Sequence, residues 1–175
     1  GALNQDGSGT LILTGSNSYD ATTISAGTLQ IGNAGTAGTL GSGSVTDNAT
    51  LIFNRTDSLS LTNTISGTGI LNQNGSGTLT LNNAANSYAG GTNLNAGLVS
   101  VGTLADSGSH SSLGTGAYTF NGGTLSYTGS SVTINQGATL TGNGTLDVTN
   151  SGTNLIMSGA FSGASALTKT SAGTL

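Results

Sequence analysis

The sequence contains no cysteine, proline, tryptophan or glutamate, and its only basic residues are Arg55 and Lys169. Without cysteine there is neither a disulfide nor a thiolate metal site, so packing and backbone hydrogen bonds must hold the fold. Two basic residues exclude a nucleic-acid binder, which needs several Lys or Arg on one face to neutralise phosphates. They also exclude a basic membrane-surface helix. No apolar run approaches the ~18 residues of a membrane-spanning helix, so no membrane insertion of this segment is expected. Charged residues are 5% of the chain, against about 25% in an average soluble domain.

What is present is small and polar. Gly, Ser, Thr and Asn supply 103 of the 175 residues, and all are poor in helix interiors, so long helices are excluded. Composition alone would fit a disordered segment, but the order of residues does not. Apolar residues come in alternating bursts such as Leu11-Ile12-Leu13, Leu29-Gln30-Ile31, Leu51-Ile52-Phe53, Leu79-Thr80-Leu81 and Val99-Ser100-Val101. The first and third residues of each burst share one face of a strand. Gly and Asn fill the gaps, so the pattern predicts many short strands joined by tight turns.

The bursts carry a beat, Gly/Ala-Thr/Leu-Leu/Val, beginning at residues 9, 27, 49, 77, 97, 123, 144 and 173. Successive beats are 18 to 29 residues apart, a period that signals a solenoid. Further bursts between the beats give two or three strands per turn. The fold class expected is all-β, a parallel β-helix of seven to eight coils running through the whole chain, 1–175, as a single segment. Strands stack about 4.8 Å apart, so the rod would be on the order of 35–40 Å long.

A longer repeat overlies the coil. Leu3-Asn4-Gln5-Asp6-Gly7-Ser8-Gly9-Thr10-Leu11 returns as Leu71-Asn72-Gln73-Asn74-Gly75-Ser76-Gly77-Thr78-Leu79. Asn17-Ser18-Tyr19 returns as Asn86-Ser87-Tyr88, and Leu40-Gly41-Ser42-Gly43 as Leu113-Gly114-Thr115-Gly116. Copies are expected at 3–70 and 71–166, with a third starting at Leu167, as in a segment cut from a longer rod.

The motif residues are Gly7, Gly9, Thr10, Leu11, Leu13, Tyr19, Gly27, Leu29 and Ile31, matched by Gly75, Gly77, Thr78, Leu79, Leu81, Tyr88, Gly97, Val99 and Val101. Gly-Ser-Gly-Thr-Leu-x-Leu, then Asn-Ser-Tyr, then Ala-Gly-x-x-x-Ile/Val-Gly resembles the autotransporter-associated β-strand repeat, also called the passenger-associated transport repeat. The second copy departs at Leu98, where the first has Thr28. The resemblance implies a right-handed parallel β-helix in the secreted passenger of a Gram-negative surface protein, exported through the periplasm. It also implies a C-terminal translocator barrel as partner and a repeat linked to outer-membrane passage. The function expected is therefore a noncatalytic stalk whose repeats assist translocation. The alternative is an adhesin-type surface binding host or bacterial glycans, or self-associating with a twin rod.

No catalytic residue, metal ligand or cofactor is assigned. Asp106 and His110 lie with several serines in an insertion that lengthens the second copy. A hydrolase triad there would have no strand to fix it and no nucleophile elbow, so the stretch reads as a solvated turn and the candidate binding loop. The six Asp (6, 20, 47, 57, 106 and 147) do not cluster in sequence, whereas glycoside hydrolysis needs convergent carboxylates. Arg55 and Asp57 read as a surface pair of little worth. Tyr19 and Tyr88 are expected to cover coil edges with their hydroxyls at the surface, and Phe53 and Tyr127 to lie in the core.

Overall fold

Alternation of Leu, Ile or Val with Thr, Ser or Asn leaves each short strand one apolar and one polar side. The chain buries the apolar sides by winding them around a common axis. In the computed structural model, which describes residues 1–175, there is no helix, and every strand pair is parallel. About eight turns stack into a solenoid with three faces.

The first face holds Leu3–Gln5, Thr22–Ile24, Val45–Asp47 and Ile65–Ser66. The same place in chain order is taken by Val132–Ile134 and Leu155–Met157 in the last coils. The second face has eight strands, from Thr10–Leu13 and Thr28–Gly35 through Thr50–Arg55, Ile70–Gln73 and Thr92–Leu94 to Tyr118–Phe120, Ala138–Leu140 and Phe161–Gly163. Six strands make the third face: Leu59–Leu61, Thr78–Leu81, Leu98–Val101, Thr124–Tyr127, Gly144–Val148 and Leu167–Thr170.

Registry places like on like along the axis. On the third face Leu79 pairs with Leu59 and Val99, Val99 with Leu125, and Leu125 with Leu146. Leu79, Val99, Leu125 and Leu146 are all essentially inaccessible, part of one core cluster of 28 residues. Phe53 and Tyr127 are in it, as the alternation predicts. Leu11 and Leu13 are only half-buried, on the strand at the end of the eight-stranded face.

The sequence repeat does not follow the faces. Leu3–Gln5 lies on the first face, its counterpart Leu71–Gln73 on the second, and Leu167–Thr170 on the third. Likewise Thr10–Leu13 is on the second face and Thr78–Leu81 on the third. The first copy therefore winds three full coils and one face, and the longer second copy four full coils and one face. One consequence is visible in the core: Gln73, in register with Phe53 and Leu94, interrupts an apolar row while 2% exposed.

Candidate functional site

The two copies of the repeat, though on different faces, build the same contacts between successive coils. In the first, the Gln5 Nε2 donates to the carbonyls of Gly7 (2.9 Å) and Gly9 (3.0 Å), closing the Gly-Ser-Gly turn from within. In the second, the Gln73 Nε2 donates to Gly75 (2.8 Å) and Gly77 (3.3 Å). The next coil then crosses directly over that turn. Backbone N–H groups of Ser25 and Ala26 donate to the Gln5 carbonyl, and those of Asn95 and Ala96 to the Gln73 carbonyl. Thr28 N bonds Gly9 O at 3.0 Å, and Leu98 N bonds Gly77 O at 3.1 Å.

This crossing explains the Ala-Gly that both copies share. Gly27 has φ +65° and Gly97 φ +56°, in the left-handed region that side chains resist. A Cβ on Gly27 would lie 2.3 Å from the carbonyl oxygens of Gly7 and Gly9, and one on Gly97 within 2.5 Å of those of Gly75 and Gly77. The turn of one coil and the glycine of the next form one interlocked unit.

A second latch sits one face on. The Asn17 Nδ2 donates to the Thr39 carbonyl (2.7 Å), and the Asn86 Nδ2 to the equivalent Ser112 carbonyl (2.9 Å). Asn86 also accepts from the Ile65 N–H at 2.9 Å, bridging three coils while 1% exposed. The tyrosine of Asn-Ser-Tyr lies against the glycine of the following Leu-Gly. A Cβ on Gly41 would meet the Tyr19 ring and carbonyl at 2.0–2.7 Å, and one on Gly114 the Tyr88 carbonyl at 2.4 Å. The Asn-Ser-Tyr and Leu-Gly-x-Gly segments thus recur together because they touch.

The tyrosine hydroxyls are not at the surface. Tyr88 is wholly buried, its Oη 2.7 Å from the Thr92 Oγ1, and burial drives its pKa far above the usual phenol range. The Tyr19 hydroxyl is also buried and has no partner. Packed against a glycine of the next coil, each ring keeps its hydroxyl out of solvent. Tyr118 is likewise raised, to about 12, by burial.

Arg55 is more than half of a surface pair. Its guanidinium is bidentate to Asp57 (Nε–Oδ1 2.9 Å, Nη2–Oδ2 2.8 Å) and also donates to the carbonyls of Gly38 and Thr36 in the preceding coil. The Arg55 side chain is 11% exposed. The planar fork lets one residue satisfy a turn carbonyl and a carboxylate together. Asp57 is held below the usual carboxylate range, first by that hydrogen bond.

The insertion is not a free turn either. Asp106 accepts from the Asn135 N–H (2.7 Å), while the Asn135 Oδ1 accepts from the Ser107 N–H (2.7 Å), pinning the loop to the next coil. Ser111 and Ser112 are each 1% exposed, with Ser112 sharing a 2.8 Å hydroxyl bond with Thr103. Only 106–110 is solvated, and His110 is exposed within it. The alternation that would have marked residues 111–113 as inward-facing is masked by two serines. No three His, Cys, Asp or Glu side chains come together anywhere in the structure.

The chain is a three-faced parallel solenoid whose repeated motif ties coil to coil. Residues 3–31 and 71–105 match the family described as Passenger-associated-transport-repeat, the stretches that carry the first latch and the Asn-Ser-Tyr half of the second. The chain thus carries two copies of a repeat similar to that of autotransporter passengers. It is 40% identical to the Adhesin BmaC autotransporter of Brucella suis biovar 1 (strain 1330), over a stretch covering 65% of this chain. The chain spans about 4% of that relative's length. No solved structure matches it.

Proposed function

We propose that this segment is a noncatalytic stalk whose repeats draw a passenger across the outer membrane by folding coil upon coil at the cell surface. The observation that carries this reading is that both copies make the same coil-to-coil latches on different faces of the rod. A motif kept for a ligand would have to keep one face; a motif kept for stacking need keep only its neighbours. Each coil buries two or three Leu, Ile or Val side chains, worth roughly 1.5–3 kcal/mol apiece before chain entropy is subtracted. Solenoids fold by nearest-neighbour propagation, so each coil emerging from a pore adds to one already folded and resists sliding back. A cysteine-free chain also stays unbridged in the oxidising periplasm. The rod is then displayed on, or released from, a Gram-negative cell, with a C-terminal translocator domain of the same polypeptide as its partner.

The test is surface display of the parent passenger measured by protease accessibility. Deleting residues 75–102 should slow the appearance of surface-exposed passenger, and Gly97→Val should slow it with a single side chain. Normal export kinetics in both, despite loss of coil stability in the purified segment, would reject the folding-driven reading.

A further inference from the structure

Where the pinned insertion meets the corner between the first and second faces, the surface opens into a cleft of about 210 Å³. It lies between Ser107 of the loop, the segment Asn135–Thr139 and the Ala160–Ser162 stretch of the last coil. Its lining combines hydroxyls and amides with alanine and glycine. We propose that this cleft is a binding site for one uncharged pyranose ring, a terminal sugar of a glycan.

Two amides are set for such a ligand. Gln136 is 5% exposed and its Nε2 donates to the Gly116 carbonyl at 3.1 Å. That bond fixes which end of the amide is which and leaves the Oε1 as an acceptor with no protein donor. In Asn135 the Oδ1 is taken by the Ser107 N–H, so the Nδ2 is left as a donor with no protein acceptor. An oriented acceptor beside an oriented donor, with the Thr139 and Ser162 hydroxyls close by, matches groups that both give and accept hydrogen bonds, as vicinal sugar hydroxyls do. Burial of Gln136 means its orientation is settled before any ligand arrives.

The lining also excludes the other classes. Neither Arg55 nor Lys169 reaches it, so an anion has no counter-charge; no His, Asp or Glu lines it, so a metal has no ligand set. Asp106, next to Ser107, has its Oδ1 committed to the Asn135 N–H. There is no aromatic or large aliphatic wall for an apolar group. The volume corresponds to about seven waters at ~30 Å³ each, room for a single ring and not for an extended chain.

The proposal is independent of the stalk reading, since it concerns the purified chain and not its export. The test is a ¹⁵N–¹H NMR titration with methyl α-D-mannopyranoside, methyl β-D-galactopyranoside and N-acetyl-D-glucosamine, with acyclic sorbitol as control. At least one pyranoside should give saturable millimolar shifts confined to Ser107, residues 135–139 and residues 160–162, and sorbitol should not. Gln136→Met should weaken that binding at least tenfold. Thr139→Val, at an exposed position that any folded rod tolerates, should weaken it several-fold with the rest of the spectrum unchanged. Absence of saturable shifts with all three sugars, equal shifts with sorbitol, or unchanged affinity in the folded Thr139→Val variant would each overturn the assignment.

Discussion

Asp47 is the buried charge of this rod, and replacing it with Asn isolates what that charge does. It ends the strand Val45–Asp47, faces the interior with no measurable exposure, and its Oδ1 accepts the Ala49 N–H at 3.0 Å. Its Oδ2 has no partner. Tyr88 feels its charge and stays neutral throughout the range tested below. Burial raises its pKa from 3.8 to about 6, partly opposed by the Ala49 bond. The folded state therefore holds a proton that the unfolded state gives up. Below about pH 4 both states are protonated and nothing is lost. Between about pH 4 and 6 stability falls as pH rises, and above 6 the whole cost is present. Two pKa units at 1.36 kcal/mol each come to about 3 kcal/mol, which local relaxation trims to about 2. Asp47→Asn removes this slope, though its unpaired N–H groups cost about 1 kcal/mol at every pH. Urea unfolding followed by circular dichroism at pH 4, 5, 6 and 7.5 measures the difference. Asp57 and Asp147 are both shifted down, so their effects fall below pH 4, outside this window. If wild type and Asp47→Asn changed in parallel from pH 4 to 7.5, the carboxylate would be ionised at no cost and the reasoning would fail.

Other substitutions separate the parts of the fold. Gly97→Ala, which adds a methyl against two carbonyl oxygens at positive φ, should cost about 3 kcal/mol by urea midpoint, while Gly7→Ala, in open space, should cost under 1. Asn86→Leu strands the Ile65 N–H and the Ser112 carbonyl in the interior and should lose about 2–4 kcal/mol, visible as faster hydrogen exchange at Ile65. Leu79→Asp should unfold the neighbouring coils, whereas Thr80→Lys, on the outward side of the same strand, should be silent in thermal melts; equal losses would reverse the assigned faces. Shortening the loop within 106–110 should leave the melting temperature within a few degrees, but removing Ser111 and Ser112 as well should lower it clearly, because these are buried.

The Gly-Thr-Leu beat made strands, parallel coils and coil number legible, because alternation survives in any strand that buries one side. Legibility stopped at the polar interior. In a chain so rich in Asn, Ser and Thr, the interior Gln73, Asn86 and Ser111 look the same as turn residues, and only their bonds distinguish them. Asp47 left a signal that alternation could have used, since it is two residues from Val45 in one strand. Pairing of the Asn-Ser-Tyr and Leu-Gly segments was also written in their joint recurrence, in the same order, in both copies. The rotation of copy two by one face was not, because it depends on turn lengths that differ by single residues.

That rotation has a consequence for how such rods change over generations. Near-identical repeats are places where a gene gains or loses a copy by recombination. Here a copy spans three or four coils plus one face, so each gain or loss alters both reach and azimuth. The stacking survives intact, since every motif still meets its own neighbours. Everything distal to the event is lifted or lowered by a few coils and swung through one third of a turn about the axis. A lineage could thus re-aim whatever its rod carries, relative to the membrane and to neighbouring rods, without changing a single residue of the cargo.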